Sequence, residues 1–382
     1  MDTPSNPKSQ FVPETPEEIT AQWLGEVLGS SVDDIAVKDL GDGIGFMGDV
    51  LLITPTSAEL NDSMVAKLPK KANRVMGELL GVYEREVMFF STLGNDVKMR
   101  IPKVYYSHYD PDKGSENQKE ILAKIDQLPV FMSKAINLIG RWVAGAKKRR
   151  YFLLIEYLNG FSAGDQLAGI GKQEATTVLS EVAGLHKQFW QSNELSEHFW
   201  LLPVDIDATL REGMFHQFVD GFQTTASEAL HPTLDWLRTK GRAAELTRAV
   251  MQRAPTTLLH NDLRLDNVMF SDQECALIDW QLVRCGASAF DVAYFLSSAL
   301  HEDATYQDEL DILSAYHQAL DTQDYSFDAF VRDYHSAMVL VMANLTSVGQ
   351  VELGDGRGQQ VMLAWFNRLG ARLQHVDLAT LL

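Results

Sequence analysis

The chain has 382 residues, room for two or three domains or one large two-lobed unit. It is 46% apolar, 22% charged and 9% aromatic, so it can bury a core and is no disordered polyelectrolyte. Lys and Arg number 33 against 52 Asp and Glu, and the net charge of -19 argues against nonspecific binding to nucleic acid or anionic membranes.

Residues 1–14 are rich in Pro, Ser and Asn and read as a tail, with no basic stretch leading into an apolar segment. Thr15-Pro16-Glu17-Glu18 predicts a helix start, with Thr15 as N-cap and Glu18 closing a capping box. Ile19, Trp23, Leu24, Val27 and Leu28 continue it as one buried face. Short apolar runs at Ile35–Leu40, Val50–Pro55, Met64–Leu68 and Val104–Ser107 then predict strands, interrupted by one helix over Gly77–Leu93.

Residues 119–147 read as mostly helical, with Phe131, Ala135, Ile139, Trp142, Val143 and Ala146 in one stripe. Residues 111–150 hold nine Lys or Arg against four Asp or Glu, a local reversal of the chain's charge. Two readings stand: a lid or docking surface for an anionic substrate, or an insertion that packs its stripe and solvates its charges. Tyr151–Leu158 predicts an apolar strand, and beyond Gly160 the helical period dominates to the end. No apolar run reaches the ~20 residues of a membrane span; the longest candidate lies around Met338–Leu345. Two cysteines, Cys275 and Cys285, give no disulfide framework and suit a reducing, cytoplasmic setting. The expected domains are a nucleotide-binding unit over 1–158 and a catalytic, acceptor-binding helical unit over 159–382.

Three segments carry chemistry. Gly43-Ile44-Gly45-Phe46-Met47-Gly48-Asp49-Val50 fits G-x-G-x-x-G-x-V. A dinucleotide fingerprint would open a helix, whereas here a strand follows, the arrangement of a hairpin laid over nucleotide phosphates. A plain hairpin turn is the alternative. Lys67 lies inside an apolar strand, where its amine needs an anionic partner or must reach water. Glu86 on the following helix offers that partner, with Glu84 competing.

The third segment is the most specific: His260-Asn261-Asp262-Leu263-Arg264-Leu265-Asp266-Asn267, with Asp279 twelve residues beyond Asn267. Phosphoryl transfer needs a carboxylate to orient and deprotonate the attacking hydroxyl, with oxygen ligands for Mg²⁺ beside it. Asp262 fits the first task, and Asn267 with Asp279 the second. Arg264 either neutralises charge on the transferring group or pairs at the surface with Asp266.

With these motifs the chain resembles the aminoglycoside-phosphotransferase and choline-kinase-like superfamily, its ecdysteroid-kinase-like branch included, over about residues 20–350. The resemblance implies an α+β, protein-kinase-like two-lobed fold with an antiparallel β N-lobe and a mostly helical C-lobe. It implies Asp262 as the catalytic Asp, with Arg264 beside it, and Asn267 and Asp279 as Mg²⁺ ligands. Gly43, Gly45, Gly48, Lys67, Glu86, Glu156 and Leu158 would bind the nucleotide, ATP or, since hinge contacts are backbone ones, GTP. His186 would be structural, and Asp291 would brace the catalytic loop. Two departures stand out: Asn261 where Gly is usual, and Trp280-Gln281 where protein kinases have Phe-Gly.

The resemblance implies a kinase of a small-molecule hydroxyl. The sequence at Arg264–Asn267 and Asp279–Gln281 resembles the branch acting on hydroxylated lipids, hydroxyacyl thioesters or sterol-like alcohols, and with an aromatic-rich C-terminal half this implies a hydrophobic alcohol, hydroxyacyl or sterol-like acceptor. The alternatives are an aminoglycoside- or choline-type cationic acceptor and a catalytically inactive nucleotide-binding module. A protein kinase is disfavoured, because no long activation segment separates Asp279 from Asp291.

Overall fold

The computed structural model describes residues 11–40, 48–111, 115–129, 132–146, 149–224, 226–239, 241–348 and 356–382. The chain forms two compact units. The first comprises Met1–Ser115, Asn137–Phe161 and Ala276–Gln281; the second comprises Glu116–Ile136, Ser162–Cys275 and Leu282–Leu382.

The first unit begins with helix α1 (Ala21–Leu28), then strands β1 (Asp34–Asp39), β2 (Gly48–Thr56) and β3 (Met64–Pro69). Helices α2 (Arg74–Leu80) and α3 (Val82–Thr92) follow, then β4 (Val104–Tyr109). Helix α4 (Gln118–Asp126), which belongs to the second unit, and α5 (Ser133–Ala146), which belongs to the first from Asn137 on, precede β5 (Tyr151–Glu156). The strands make one antiparallel sheet in the order β1-β2-β3-β5-β4.

Strand β3 shows how the period of two sorts its side chains. Met64, Ala66 and Leu68 are buried in a core shared with Trp23, Leu24, Phe152 and Leu154. Trp23 fixes α1 there, edge-on to Phe152 at 4.9 Å and to Tyr106 at 5.7 Å. Lys67, one residue out of phase, is thereby turned to the other face.

Two expectations for this unit are corrected. The N-terminal helix does not start at Thr15: Pro16–Glu18 is a separate 3₁₀ turn, and α1 starts after Thr20, whose hydroxyl caps the amide of Trp23 at 3.1 Å. The helix expected over Gly77–Leu93 is two helices, because Gly81 has φ +65° and reverses the chain between α2 and α3.

The second unit runs through β6 (Ser162–Ala163), α6 (Lys172–Gln188), α7 (Glu194–Glu197), α8 (Ala208–Gln223), α9 (His231–Leu237) and α10 (Arg242–Arg253). Strands β7 (Thr256–Leu259), β8 (Val268–Phe270), β9 (Cys275–Leu277) and β10 (Arg284–Ala287) come next, β9 reaching into the first unit. Helices α11 (Ala289–Ala299), α12 (Tyr306–Leu320), α13 (Phe327–Val348) and α14 (Gly356–Leu373) close the chain. The core of this unit is α13, packed by α8, α10 and α11. Its buried residues include Phe330, Tyr334, Met338, Val341 and Met342, so the longest apolar run of the sequence is a core helix. Among the described residues no helix is long and apolar enough to cross a membrane.

Trp200, Phe215 and Phe222 are also core. Trp280 is core too, but of the first unit, stacked on Phe89 at 4.1 Å and 10°. It therefore adds nothing to an aromatic surface in the helical half. An antiparallel β unit and a mostly helical unit are the α+β, protein-kinase-like fold the sequence predicts.

Candidate active site

In the first unit three charged side chains converge. Lys67 Nζ on β3 donates to Glu86 Oε1 on α3 at 2.5 Å and to Asp279 Oδ1 at 2.7 Å. Asp279 is carried there by β9, where the Leu277 amide donates to the Arg100 carbonyl at 3.0 Å. It sits in a left-handed turn, φ +67°, and its Oδ2 accepts from Gln281 Nε2 at 3.1 Å. Burial works against the Lys67 charge, yet Asp279 and Glu86 hold its pKa above the ordinary lysine value. Burial raises Glu86 above the usual carboxylate range.

The competition between Glu84 and Glu86 is resolved by helix phase. Two residues apart on α3, they point to opposite sides, and Glu84 accepts from Arg149 Nη1 at 3.2 Å instead. Arg149 also donates to Glu78 at 2.7 Å, and Tyr151 OH donates to the same carboxylate at 3.1 Å.

Gly48 opens β2 against Leu68, whose carbonyl oxygen would lie 2.9 Å from any Cβ there, so this position requires glycine. Gly43 and Gly45 lie outside the described residues. Glu156 is an ion-pair residue: Arg100 Nη2 donates to it at 2.6 Å and the Lys103 amide at 3.0 Å. Burial works against its charge, and these donors still hold its carboxyl below the usual range. The amides of Glu156 and Tyr157 are given to the carbonyls of Lys103 and Ser63, and Leu158 is buried.

The second unit holds Asp262 on the turn after β7. Both of its carboxylate oxygens have donors: Tyr294 OH to Oδ1 at 3.0 Å and Asn267 Nδ2 to Oδ2 at 3.1 Å. Asn267 Nδ2 also donates to the Asp262 carbonyl at 2.9 Å, which turns the other end of that amide, its oxygen Oδ1, away from Asp262. Arg264 lies between its two expected partners, Nε 3.6 Å from Asp262 Oδ1 and Nη1 3.5 Å from Asp266 Oδ2.

Asp291 fixes this turn from the first turn of α11. Fully buried, it accepts from the amides of His260 and Asn261, each at 2.7 Å. His186 backs it, Nε2 at 3.3 Å from Asp291 and Nδ1 at 2.7 Å from the Tyr316 hydroxyl. Asn261 has φ +62°, the left-handed region that asparagine tolerates better than other side chains, so it takes up the conformation a glycine would.

Two residues of this frame escape the sequence reading. Tyr294 lies one helical turn after Asp291 on the same face of α11, a spacing that could have revealed it. Gln166, fully buried, accepts from the Leu265 amide at 2.7 Å and donates to the Ser298 carbonyl at 2.6 Å, and no local motif announces it.

The donor sets suit a nucleotide and a hard dication. One lysine between two carboxylates leaves a net negative cluster of oxygens, and Asn267 offers a neutral oxygen ligand. Among the described residues no group of three or more His, Cys, Asp or Glu could hold a metal ion by itself.

The model of the ecdysteroid kinase-like family matches residues 54–324, more than half of the chain. The protein is thus a small-molecule phosphotransferase of the kinase-like superfamily. The chain belongs to the ecdysteroid kinase-like family. No curated protein matches it by sequence. Among solved structures it is similar to the macrolide 2'-phosphotransferase MphH from Brachybacterium faecium, at 14% identity over 90% of this chain and 96% of that one, TM-score 0.46. It is similar to a choline kinase from Cryptosporidium parvum, at 12% identity over 90% and 88%, TM-score 0.48. A Plasmodium vivax ethanolamine kinase gives 9% over 88% and 80%, TM-score 0.46. These are resemblances of chain course and no more.

Proposed function

We propose that the protein transfers the γ-phosphoryl group of Mg·ATP directly to the hydroxyl of a small hydrophobic alcohol, of hydroxyacyl or sterol-like type. The observation that carries this reading is Asp262, a buried carboxylate with one oriented donor on each oxygen, set on a loop that Asp291 braces. Such a carboxylate is built to direct one proton acceptor toward one hydroxyl. As the alcohol oxygen bonds to the γ-phosphorus, Asp262 accepts its proton, the bond to the β,γ-bridging oxygen breaks, and ADP leaves. Lys67, held by Glu86, binds phosphate oxygens, with Gly48 on β2, the strand paired with that of Lys67, contributing to the nucleotide site. Arg264, within reach of Asp262, offsets charge on the group in transfer. Asn267 and Asp279 would hold the magnesium, which supplies neutralisation of phosphate charge when bound. A backbone donor for the nucleotide base would come from Leu158 onward, since the two preceding amides are spent on carbonyls; the same contact would serve GTP. The family's name points to a polycyclic alcohol as acceptor.

The test is a thermal-shift titration with ATP plus Mg²⁺, ATP plus EDTA and GTP plus Mg²⁺, on wild type and Asp279→Asn. Nucleotide at 100-fold over its Kd adds ~2.7 kcal/mol, a shift of several degrees. A metal-dependent shift lost in Asp279→Asn supports the reading and leads to a screen of hydrophobic and cationic alcohols for phosphate transfer. No shift with any nucleotide at millimolar concentration would sink it.

A further inference from the structure

Helices α2 and α5 meet through small residues. Gly140 lies so close to Leu79 that a Cβ would come within 2.8 Å of its Cδ1, Gly145 faces Val75, and Ala144 is buried. Packing the small face inward turns the bulky stripe of α5 outward. Leu138 is 71% exposed, Ile139 62% and Trp142 77%, with Val143 also exposed. Helix α2 adds Val75, Met76 and Leu80, all exposed. Seven bulky apolar side chains on two touching helices are more than a merely solvated surface keeps.

The sequence of these two segments carries a charge opposite to that of the chain as a whole. From Met132 to Arg150 the sequence has six basic residues and no acidic one; from Lys70 to Leu80 it has three basic residues and only Glu78. Glu78 is buried and held by Arg149. Arg150 is paired with Asp110 and Arg74 lies 3.7 Å from Glu14. Lys70 and Lys71, both exposed, lead into α2. Charges beyond a Debye length of ~8 Å are screened, so this local reversal, not the total of -19, decides what the face meets.

We propose that the α2–α5 face docks on an anionic lipid bilayer, with Leu138, Ile139 and Trp142 in the boundary between headgroups and acyl chains. Tryptophan and aliphatic side chains bordered by lysine and arginine are the composition of a helix lying in a membrane interface. A second copy of the chain fits worse, because pairing this face with itself brings like charges together. The inference does not rest on the proposed phosphotransfer, although an alcohol that partitions into lipid would be met there.

The experiment is co-sedimentation of the full chain with vesicles of phosphatidylcholine alone, or with about one third phosphatidylserine. Binding is expected to the anionic vesicles only, weakening as salt rises. Leu138→Glu with Trp142→Glu should reduce partition by about tenfold or more, and each of Lys70→Glu and Lys71→Glu by about fivefold. Unchanged melting temperature and helical circular dichroism certify that these surface variants fold. Absence of binding by wild type at low salt, equal binding to neutral vesicles, or unaltered binding by the variants would overturn the proposal. So would a dimer in sedimentation velocity that Leu138→Glu splits. None of these readouts uses nucleotide, so a failure here leaves the phosphotransfer reading standing.

Discussion

The two units hold their carboxylates by opposite means. In the first, Glu86 and Asp279 face one lysine, and the cluster is a balance of full charges. In the second, Asp262 and Asp291 are oriented by a phenol, a side-chain amide and two backbone amides, with Arg264 3.6 Å from Asp262 and His186 3.3 Å from Asp291. A charge cluster responds to whatever ion enters it and tolerates some displacement. A hydrogen-bonded frame fixes direction to within an ångström or so and responds mainly to shape. Binding of phosphate suits the first, and orientation of a base the second.

The sharpest way to break this contrast is Asp262→Asn. The amide keeps the size and most of the hydrogen bonding but cannot take a proton. Phosphotransfer should fall by ~10³-fold or more while the nucleotide thermal shift stays within a degree or so. An equal fall in nucleotide affinity would mean that Asp262 belongs to the charge cluster after all.

Lys67→Met tests the first unit, leaving two carboxylates against an apolar chain. It should cost about 3 kcal/mol of stability, read as a lower urea midpoint at constant m-value. Lys67→Met with Glu86→Gln should recover part of that loss, since one of the opposed charges is gone. The sign of the pH dependence follows from the raised Lys67 pKa. Its stabilisation is complete below the unfolded value of ~10.4 and is lost only as pH rises through the higher folded value. Lys67 should therefore cause no alkaline destabilisation between about pH 7 and 10, and a loss there that Lys67→Met removes would contradict the buried pair.

How much of this was legible in the sequence differs between the units in the same way. A lysine in an apolar strand and carboxylates on the next helix are local signals of a charge pair, so Lys67 with either Glu84 or Glu86 could be read directly. The fate of Glu84 could not, because its partner Arg149 is 65 residues away and nothing local joins them. The position of Trp280 in the sequence points to the helical half, and only its stack on Phe89 shows that β9 delivers it to the first unit. The single helix expected over Gly77–Leu93 failed because apolar periodicity passes through Gly81 undisturbed, whereas its φ of +65° does not. In the second unit the loop residues Asp262 and Asn267 announce themselves by spacing. Their supports, Tyr294 and Gln166, act across the fold and have no spacing to betray them beyond one helical turn from Asp291.

Tyr294→Phe sharpens the contrast from the side of the frame. It removes one hydroxyl from the Asp262 carboxylate while keeping the ring, which packs edge-on to Trp365 at 5.0 Å. Loss of a hydrogen bond to a charged group should cost about 2 kcal/mol, or some thirtyfold, in kcat/KM. Because the phenol favours the ionised carboxylate, the acidic limb of the kcat/KM profile should also move to higher pH. A merely structural tyrosine would lower stability and leave that limb where it is.

The smallest expected effect lies at Asn261, where the frame depends on backbone rather than side chain. At φ +62° a glycine pays no steric penalty, so Asn261→Gly should alter stability by no more than about 0.5 kcal/mol and leave turnover near wild type. Asn261→Val must adopt a conformation that β-branched residues avoid, at about 1–2 kcal/mol. If the turn relaxes to escape that strain, the Asn261 amide leaves Asp291 and Asp262 shifts with it. Turnover should then fall further than stability, with nucleotide binding untouched. Equal losses in Gly and Val variants would instead show that the asparagine side chain itself is used, and that direction in this unit is not set by the backbone brace alone.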